Sequence, residues 1–299
     1  MSLMLTYQAK ETDSGKTVEK ILKREYGISS KLMTYLKLNQ RIFNNGNVCR
    51  SVDLCQAGDI ISADVSENLE GIGEILPWKA DIEIIFEDDF LLAVNKPGNM
   101  EVHPCMGNYE TTLANAVMYY WQQKDEYHNY HIVNRLDKDT SGICLIAKNR
   151  FAHGVLSEQI KQGIFERKYT AIVHGIPNPP NGTIDAPIKR NHESIIKRIV
   201  ANDGKYAITK YKTIFSTTDR YSLVDIQLET GRTHQIRVHF SHIGHPLVGD
   251  WLYGQGDQEK SIIERQALHA GYIRFLHPAT GEGIEFSTEI PPEMKKLME

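Results

Sequence analysis

Three segments of the 299-residue chain combine charged side chains with the patterns of buried strands or helices. In the first segment, Arg135, Asp137 and Lys138 stand directly before an apolar run that begins at Ile143. Burying a charge costs free energy unless the charge is paired, so the entrance to a core strand is a place to expect a site. A polar loop at a strand end explains the same spacing equally well. Spacing alone therefore leaves both interpretations open.

The second segment, 165–174, alternates in the way that a strand does. The alternation predicts that Tyr169, Ala171 and Val173 share one strand face. A tyrosine that packs in the core is the ordinary explanation of this pattern.

The third segment, 228–246, contains the end of a strand, a turn at Gly231 and the beginning of a helix. The first turns of this helix carry polar side chains, which are Arg232, His234, Gln235 and Arg237. Free amides at a helix start attract anions, and two arginines add to that attraction. A phosphate or carboxylate partner is therefore expected here.

Three histidines of the same segment raise the question of a metal site. His239 and His242 are three residues apart on the predicted helix, but Gly244 and the following proline end that helix before His245. Neither an H-E-x-x-H pattern nor a Cys-His arrangement is present, so the sequence predicts no metal. Walker loops, G-x-G-x-x-G motifs and G-x-S-x-G elbows are also missing, which leaves nucleotide cofactors and serine-hydrolase chemistry without support. We expect no cofactor.

The composition is that of an ordinary globular protein, with 41% apolar and 24% charged residues. A formal net charge of −4 argues against a protein that coats nucleic acid through bulk charge. Residues 12–64 nevertheless hold eight Lys or Arg against six Asp or Glu, which leaves +2 in this stretch and −6 elsewhere. This distribution permits an RNA partner without requiring one.

Cysteine usage and hydropathy bear on the cellular compartment. The four cysteines form no C-x-x-C pair and show no disulfide-framework spacing. No run of about 18 apolar residues occurs, and the first residues lack the basic and apolar regions of a signal peptide. A reducing, cytoplasmic setting is expected, with monomer as the default state.

The elements that must position these segments follow from local patterns. Residues 17–26 predict a helix that Gly27 ends, a second helix follows Ser29, and Asn45-Gly46 predicts the turn of a hairpin. Further helices are predicted at 112–122, 151–162 and 233–243, and strands at 81–86, 90–95, 143–147, 168–174, 206–215, 221–229, 268–275 and 284–288. Strands succeed one another with few intervening helices, so an α+β fold with a largely antiparallel, mixed sheet is expected.

Taken together, the three segments resemble the active-site motifs of the RluA-type pseudouridine synthases. Asn134-Arg-Leu-Asp-Lys-Asp-Thr-Ser-Gly142 resembles the family's H-R-L-D-x-x-T-S-G motif, with Asn134 in the place of the usual histidine. The segment from Arg167 to Gly175 is similar to the tyrosine motif, and the segment from Thr230 to Arg237 to the arginine motif. Similar motifs occur in family order at 95–104, 244–253, 268–270 and 277–278, so the likeness spans roughly residues 81–292.

The amino-terminal stretch resembles the S-four-type RNA-binding domain that often precedes this catalytic domain. The resemblance implies a small α/β RNA-binding domain over residues 1–66, a linker over 67–80 and a pseudouridine synthase domain over 81–299. It implies an RNA substrate, with large-subunit ribosomal RNA expected first and transfer RNA second.

The resemblance also implies roles for individual residues. Asp137 is expected to be the catalytic nucleophile, Arg237 its charge partner, and Tyr169 the residue that packs on the target base and assists removal of the C5 proton. Arg135 is expected to fill the gap left when the uridine swings out of its stack. The remaining binding residues are Ile236 as an apolar pocket wall and Arg232 and His234 as phosphate or pocket contacts.

Two other functions fit a carboxylate beside a flipped nucleoside. One is a catalytically inactive RNA-binding protein on the same scaffold, for which Asn134 would be a sign of lost activity. The other is a hydrolytic N-glycosidase, which would release free uracil. Likeness of fold alone does not separate these functions from an isomerase.

Overall fold

The computed structural model describes residues 3–67, 75–194, 196–217, 220–259 and 262–299. The helices within these ranges are α1 (Val18–Tyr26), α2 (Ser30–Leu38), α3 (Leu113–Gln123), α4 (Arg150–Gln162), α5 (Gln235–His242), α6 (Gly256–Glu259) and α7 (Pro292–Lys295). The strands are β1 (Met4–Gln8), β2 (Ile42–Asn44), β3 (Asn47–Val48), β4 (Ile60–Asp64), β5 (Glu83–Glu87), β6 (Leu91–Lys96), β7 (His131–Ile132), β8 (Ser141–Ala147), β9 (Glu166–His174), β10 (Asn181–Asp185), β11 (Ile188–Arg190), β12 (Arg198–Val200), β13 (Ile208–Ser216), β14 (Tyr221–Leu228), β15 (Leu268–Leu276) and β16 (Gly283–Ser287).

The amino-terminal part forms a small sheet of its own, in the order β1-β4-β2-β3. Thr17 and Ser29 cap the first two helices through their side-chain oxygens, as expected for these residue types. Asn45 and Gly46 both adopt positive φ, which a tight two-residue hairpin turn requires, so the predicted hairpin is confirmed. The apolar faces of α1 and α2 form a separate core against this sheet.

The small sheet module also contacts the rest of the molecule. Phe151 of α4 is buried in the same apolar cluster as the faces of α1 and α2. Glu67 accepts a hydrogen bond of 2.6 Å from the amide of Arg150 and lies 3.1 Å from the His131 ring. Within the predicted linker, residues 68–74 lie outside the described residues, and Trp78 packs against the large core. The boundaries at 66 and 80 stay predictions.

The larger sheet has ten strands, in the order β10-β13-β14-β9-β15-β8-β6-β5, with β7 beside β8 and β16 beside β15. All its pairings are antiparallel except the one between β15 and β8, so the predicted α+β, largely antiparallel mixed sheet is confirmed. β8 is buried along its whole length. The hairpin of β11 and β12 was not predicted, because each strand is only three residues long and their residues show no clean alternation.

The parallel contact depends on Gly142 at the start of β8. Its φ of +116° is rarely adopted by other residues, and a Cβ atom there would lie 2.3 Å from the carbonyl oxygen of Ala270. This close approach sets the loop that precedes β8 beside the loop that precedes β15. No helix in the described ranges is long and apolar enough to cross a membrane.

Candidate active site

Asp137 lies in the loop between β7 and β8, with its side chain 25% exposed. Oδ2 of Asp137 lies 3.4 Å from Nη1 of Arg237, which projects from the first turn of α5. The Arg237 guanidinium is buried and makes two shorter bonds to Asp250, at 2.7 and 2.8 Å. Burial lowers the pKa of Arg237, but hydrogen bonding to Asp250 and the negative charges of Asp250 and Asp137 together outweigh that effect, so the pKa is raised. Arg237 is therefore a fixed cation beside Asp137.

Asp250 lies in the segment 244–253, whose motif predicted no role for it. It is inaccessible to solvent and also accepts hydrogen bonds from the backbone amides of Leu252 and Tyr253, each at 3.0 Å. With four donors, its carboxylate is satisfied in a way that buried charges require. The signal that could have identified it is an acidic residue in an otherwise apolar motif, Gly-Asp-Trp, close after α5.

Tyr169 lies on β9, and its side chain is buried as the alternation predicted. Burial raises the pKa of its phenol, nearby Asp137 raises it further, and Arg167 lowers it. The ring therefore presents a neutral hydroxyl beside the Asp137 carboxylate, rather than serving only to fill the core.

All seven residues predicted for the site line a single cleft of about 60 Å³. The lining residues are Arg135, Leu136, Asp137, Thr140, Tyr169, Leu228, Arg232, His234, Gln235, Ile236, Arg237 and Leu268. Carboxylate, guanidinium and phenol thus face one another across walls of leucine and isoleucine. Arg135 and Arg232 are exposed at this cleft, where a polyanion could reach them.

His234 connects the cleft to Tyr253, for which the sequence predicted no role. Its Nε2 lies 3.9 Å from Asp137, and its Nδ1 lies 2.9 Å from the hydroxyl of Tyr253. That hydroxyl accepts a hydrogen bond from the Arg198 amide, so it can donate its own proton to Nδ1. Burial lowers the pKa of His234 and raises that of Tyr253 to about 12, so both side chains are neutral at pH 7.

Asn134, which replaces the family histidine, is buried and both ends of its amide are occupied. Its nitrogen donates to the carbonyl of Ile143 at 2.8 Å, and its oxygen accepts from the amide of Leu145 at 2.7 Å. These bonds continue the pairing of β7 with β8 by one side chain. The substituted residue therefore anchors the loop that carries Asp137.

Two buried cations hold the other side of that loop. Lys96 donates to the carbonyl of Lys138 at 2.9 Å, and burial lowers the pKa of its ammonium to about 8. Arg265 donates to the carbonyl of Asp139 at 3.0 Å and pairs with Glu293 at 2.6 Å. The backbone oxygens of Lys138 and Asp139, the two residues that follow Asp137, are thereby held in place. This fixes the direction of the Asp137 carboxylate.

In the turn that leads into α5, one backbone amide is already engaged, and the anion partner expected there stays a prediction. The amide of Arg232 is already bonded at 2.9 Å to the side chain of Gln235, so it is not free for a ligand. His239 is buried between the Thr209 hydroxyl and the Ala186 carbonyl, each at 2.8 Å. Within the ranges that the structure describes, no group of three His, Cys, Asp or Glu could hold a metal ion.

Comparisons with known proteins agree with this site. Residues 90–242 match the family described as RNA pseudouridylate synthase. An uncharacterized RNA pseudouridine synthase of Bacillus subtilis, YjbO, is 41% identical over 92% of this chain and 95% of its own length. The ribosomal large subunit pseudouridine synthase D of Zymomonas mobilis is 42% identical over 74% of this chain and 73% of its own. Its counterpart in Escherichia coli is 35% identical over 88% and 83%.

Solved structures give the same result. Human RNA pseudouridylate synthase domain containing 1 aligns with a TM-score of 0.58 and 27% identity, over 70% of this chain and 83% of that one. The sequence relatives and the family model cover the segments that supply Asp137, Tyr169 and Arg237. The chain belongs to the RluA-type family of RNA pseudouridine synthases and is an isomerase that acts on RNA.

Proposed function

We propose that this enzyme isomerises specific uridines of large-subunit ribosomal RNA, with Asp137 as nucleophile and with the target base flipped into the cleft. The relatives named as ribosomal large subunit pseudouridine synthase D support the substrate class. The observation that carries the mechanism is the Asp137 carboxylate, 3.4 Å from an arginine that Asp250 holds in place.

The reaction breaks the N1–C1′ bond of uridine and joins C1′ to C5. It needs a group that stabilises or attacks the separating pieces, and it needs no net oxidation. Asp137 attacks the sugar or the base, while Arg237 supplies the positive charge that lies beside its carboxylate. After the base turns and C5 bonds to C1′, the C5 proton leaves with help from Tyr169 and N1 gains a proton.

The other cleft residues contact the target nucleotide and its neighbours in the RNA. Ile236 forms an apolar wall beside the uracil ring, and Arg135 occupies the space that the flipped nucleotide leaves in its stack. Arg232 and His234 contact the sugar-phosphate or the base edge. Loops and bulges of the RNA are the expected context, because unstacking costs least there. No metal or cofactor enters this scheme, and the enzyme is proposed to act as a cytoplasmic monomer.

Residues 1–66 are proposed to form an S-four-type RNA-binding module, joined to the catalytic domain by residues 67–80. The two helices and the Asn45-Gly46 hairpin support this proposal. Six of its cations are already paired with acidic residues of the same module, among them Lys37 with Glu19 at 2.5 Å and Arg41 with Asp64 at 3.8 Å. Its contribution to RNA affinity should therefore be modest.

Mapping pseudouridines by carbodiimide-based primer extension, in cells with and without the gene, tests the proposal. We expect one or more large-subunit sites to disappear on deletion and to return with the wild-type gene. An unchanged ribosomal map with a lost transfer-RNA site would overturn the substrate class. An unchanged map of all RNA, with retained RNA binding by the purified protein, would favour an inactive binder, and release of free uracil would favour a glycosidase.

A further inference from the structure

Arg167 lies on β9 two residues before Tyr169, so both side chains project from the same face of the strand. Its guanidinium packs against Gly231, where a Cβ atom would lie 3.2 Å from Nη1 of Arg167. Arg167 is also close enough to Tyr169 to lower the pKa of its phenol. These contacts place the guanidinium between the tyrosine of the cleft and the turn that leads into α5.

Within the described part of the chain, no hydrogen bond or ion pair satisfies this guanidinium. Its Nε is shielded from solvent and has no partner. Other arginines of the molecule differ: Arg237 meets Asp250, Arg265 meets Glu293 and Arg24 meets Asp13, each at 2.8 Å or less. A buried N–H donor without a partner costs free energy, and a ligand that accepts a hydrogen bond from it would recover that cost.

The chemistry of the missing partner follows from the guanidinium. Its planar fork of donors matches a phosphate or a carboxylate through paired hydrogen bonds. The molecule acts on RNA, and Arg135 and Arg232 stand exposed at the same cleft. Among the described residues no carboxylate forms an ion pair with Arg167, whereas a phosphodiester passes the cleft whenever a nucleotide enters it.

We infer that Arg167 binds a phosphodiester group of the RNA strand next to the nucleotide that enters the Asp137 cleft. This inference rests on the proposed flipping of the target uridine into that cleft. The absence of a side chain at Gly231 leaves room for the guanidinium beside the turn. Arg167 is thus a binding residue for the backbone, which adds affinity without selecting the base.

Kinetics of purified Arg167→Met and Arg167→Lys test the inference. The substrate is a large-subunit RNA transcript labelled with tritium at C5 of uridine, and the measurement is tritium release. We expect Arg167→Met to raise KM about tenfold at unchanged kcat, because a charge-assisted hydrogen bond is lost. The slope of log KM against log salt concentration should fall by about 0.7 to 1, the value for one phosphate contact. Arg167→Lys should recover part of both effects.

Lys168→Met is the matched control, because it removes the same charge from the next residue of the strand. Lys168 is exposed on the opposite face, with Nζ 4.6 Å from the ring centroid of Tyr272. We expect its KM and salt slope to stay within about twofold of wild type, as for other exposed surface charges. Equal effects of the two substitutions would mean that only bulk charge matters and would overturn the inference.

Further outcomes distinguish phosphate binding by Arg167 from a structural role or an effect on Tyr169. Because Arg167 has no described internal partner, Arg167→Met should leave the melting temperature unchanged or higher, and a marked drop would indicate a structural role instead. A changed pH profile of kcat at unchanged KM would show that Arg167 acts on Tyr169, which would overturn phosphate binding. Failure of wild-type enzyme to release tritium from any RNA would count against the proposed function. Wild-type turnover with a normal Arg167→Met salt slope would count against this inference alone.

Discussion

Two aspartates flank the same arginine and are treated very differently by the fold. Asp250 is inaccessible to solvent and receives two short bonds from Arg237 and two from backbone amides. Asp137 is a quarter exposed, and its contact with Arg237 is a single one at 3.4 Å. The first carboxylate is saturated with donors, and the second keeps most of its lone pairs free.

The difference indicates how one cation can serve both structure and chemistry. An aspartate whose lone pairs are all engaged is stabilised as an ion but is a poor nucleophile, since attack would require breaking those bonds. An aspartate with a fixed positive charge nearby and few donors stays ionised and remains available to react. We therefore regard Asp250 as the positioning residue and Asp137 as the reacting group.

The largest expected effect comes from Asp137→Asn. The amide cannot attack, so turnover should fall by at least about 10⁴-fold, as for other removed nucleophiles. RNA affinity, measured by filter binding, should change little because the side chain keeps its size. Measurable multiple turnover in this variant would show that the two aspartates have been assigned the wrong way round.

Replacement of Arg237 by Met should lower both the stability that depends on Asp250 and the activity that depends on Asp137. Loss of its charge leaves Asp250 buried and unpaired, which costs about 3–5 kcal/mol of unfolding free energy. Near-complete loss of activity, about 10²–10³-fold, should accompany it through the unpaired Asp137. Chemical denaturation and tritium release measure the two effects.

Asp250→Asn is the companion to Arg237→Met. It keeps the cation but loosens it, so kcat should fall less than in Arg237→Met. If both variants retained near-normal turnover, the Asp250–Arg237–Asp137 arrangement would not be what supports the reaction.

Tyr169→Phe should lose less activity than Asp137→Asn. The ring that packs on the base remains, and only the hydroxyl that assists proton removal is lost. A kcat reduction of about a hundredfold is expected, the lower part of the range for general acid–base groups. A pre-steady-state assay that separates glycosidic bond cleavage from tritium release would place the defect at the later step. Equal losses in the two variants would contradict this division of work.

Asn134→Ala tests whether Asn134, whose amide is fully hydrogen-bonded, is a positioning residue like Asp250 or takes part in the reaction like Asp137. The substitution leaves the Ile143 carbonyl and the Leu145 amide without their partner, so about 1–3 kcal/mol of unfolding free energy should be lost. Activity at temperatures well below the melting transition should drop only a few-fold. A loss as large as that of Asp137→Asn at full stability would instead assign Asn134 a direct part in the reaction.

The smallest effect concerns pH and His234, whose Nε2 lies 3.9 Å from Asp137, slightly farther than Arg237 at 3.4 Å. Burial lowers the pKa of this imidazole, so the unfolded chain binds its proton more readily than the folded one. Its contribution to stability is therefore complete above the ordinary value of about 6.5 and is lost as pH falls through the folded pKa. In a plot of kcat against pH, His234 should cause no change above pH 7 and a decline at acid pH. His234→Gln should remove that acid decline, and superimposable profiles would exclude His234 as its source.

The sequence predicted the residues that line the cleft more fully than the residues that hold them in place. Tyr169 and Arg237 could be named because their motifs stand in family order with Asp137, although spacing alone left Asp137 as one charge of a polar loop. The strand alternation around Tyr169 correctly predicted a buried side chain. The anion partner expected at the start of α5 stays a prediction, although Gln235 already occupies the Arg232 amide.

What escaped prediction depends on contacts between distant segments. The acidic residue in Gly-Asp-Trp could have marked Asp250 as unusual but not as a partner of Arg237, and nothing local marks Lys96 and Arg265 as donors to the Asp137 loop. The role of Asn134 was equally hidden, since its partners belong to the neighbouring strand rather than to its own turn. Side chains that satisfy backbone groups across a sheet carry no periodic signal, so only the structure reveals them.

The clamp on the Asp137 loop has a consequence for synthesis of the protein. Arg265 lies 126 residues from the Asp139 carbonyl that it holds, and Arg237 lies 100 residues from Asp137. Contacts of such long sequence separation form late, after the intervening chain has been ordered. A nascent chain still threaded through the ribosome cannot assemble this site until Arg265 has emerged. The loop that carries Asp137 is therefore held in this arrangement only after residue 265 has left the ribosome.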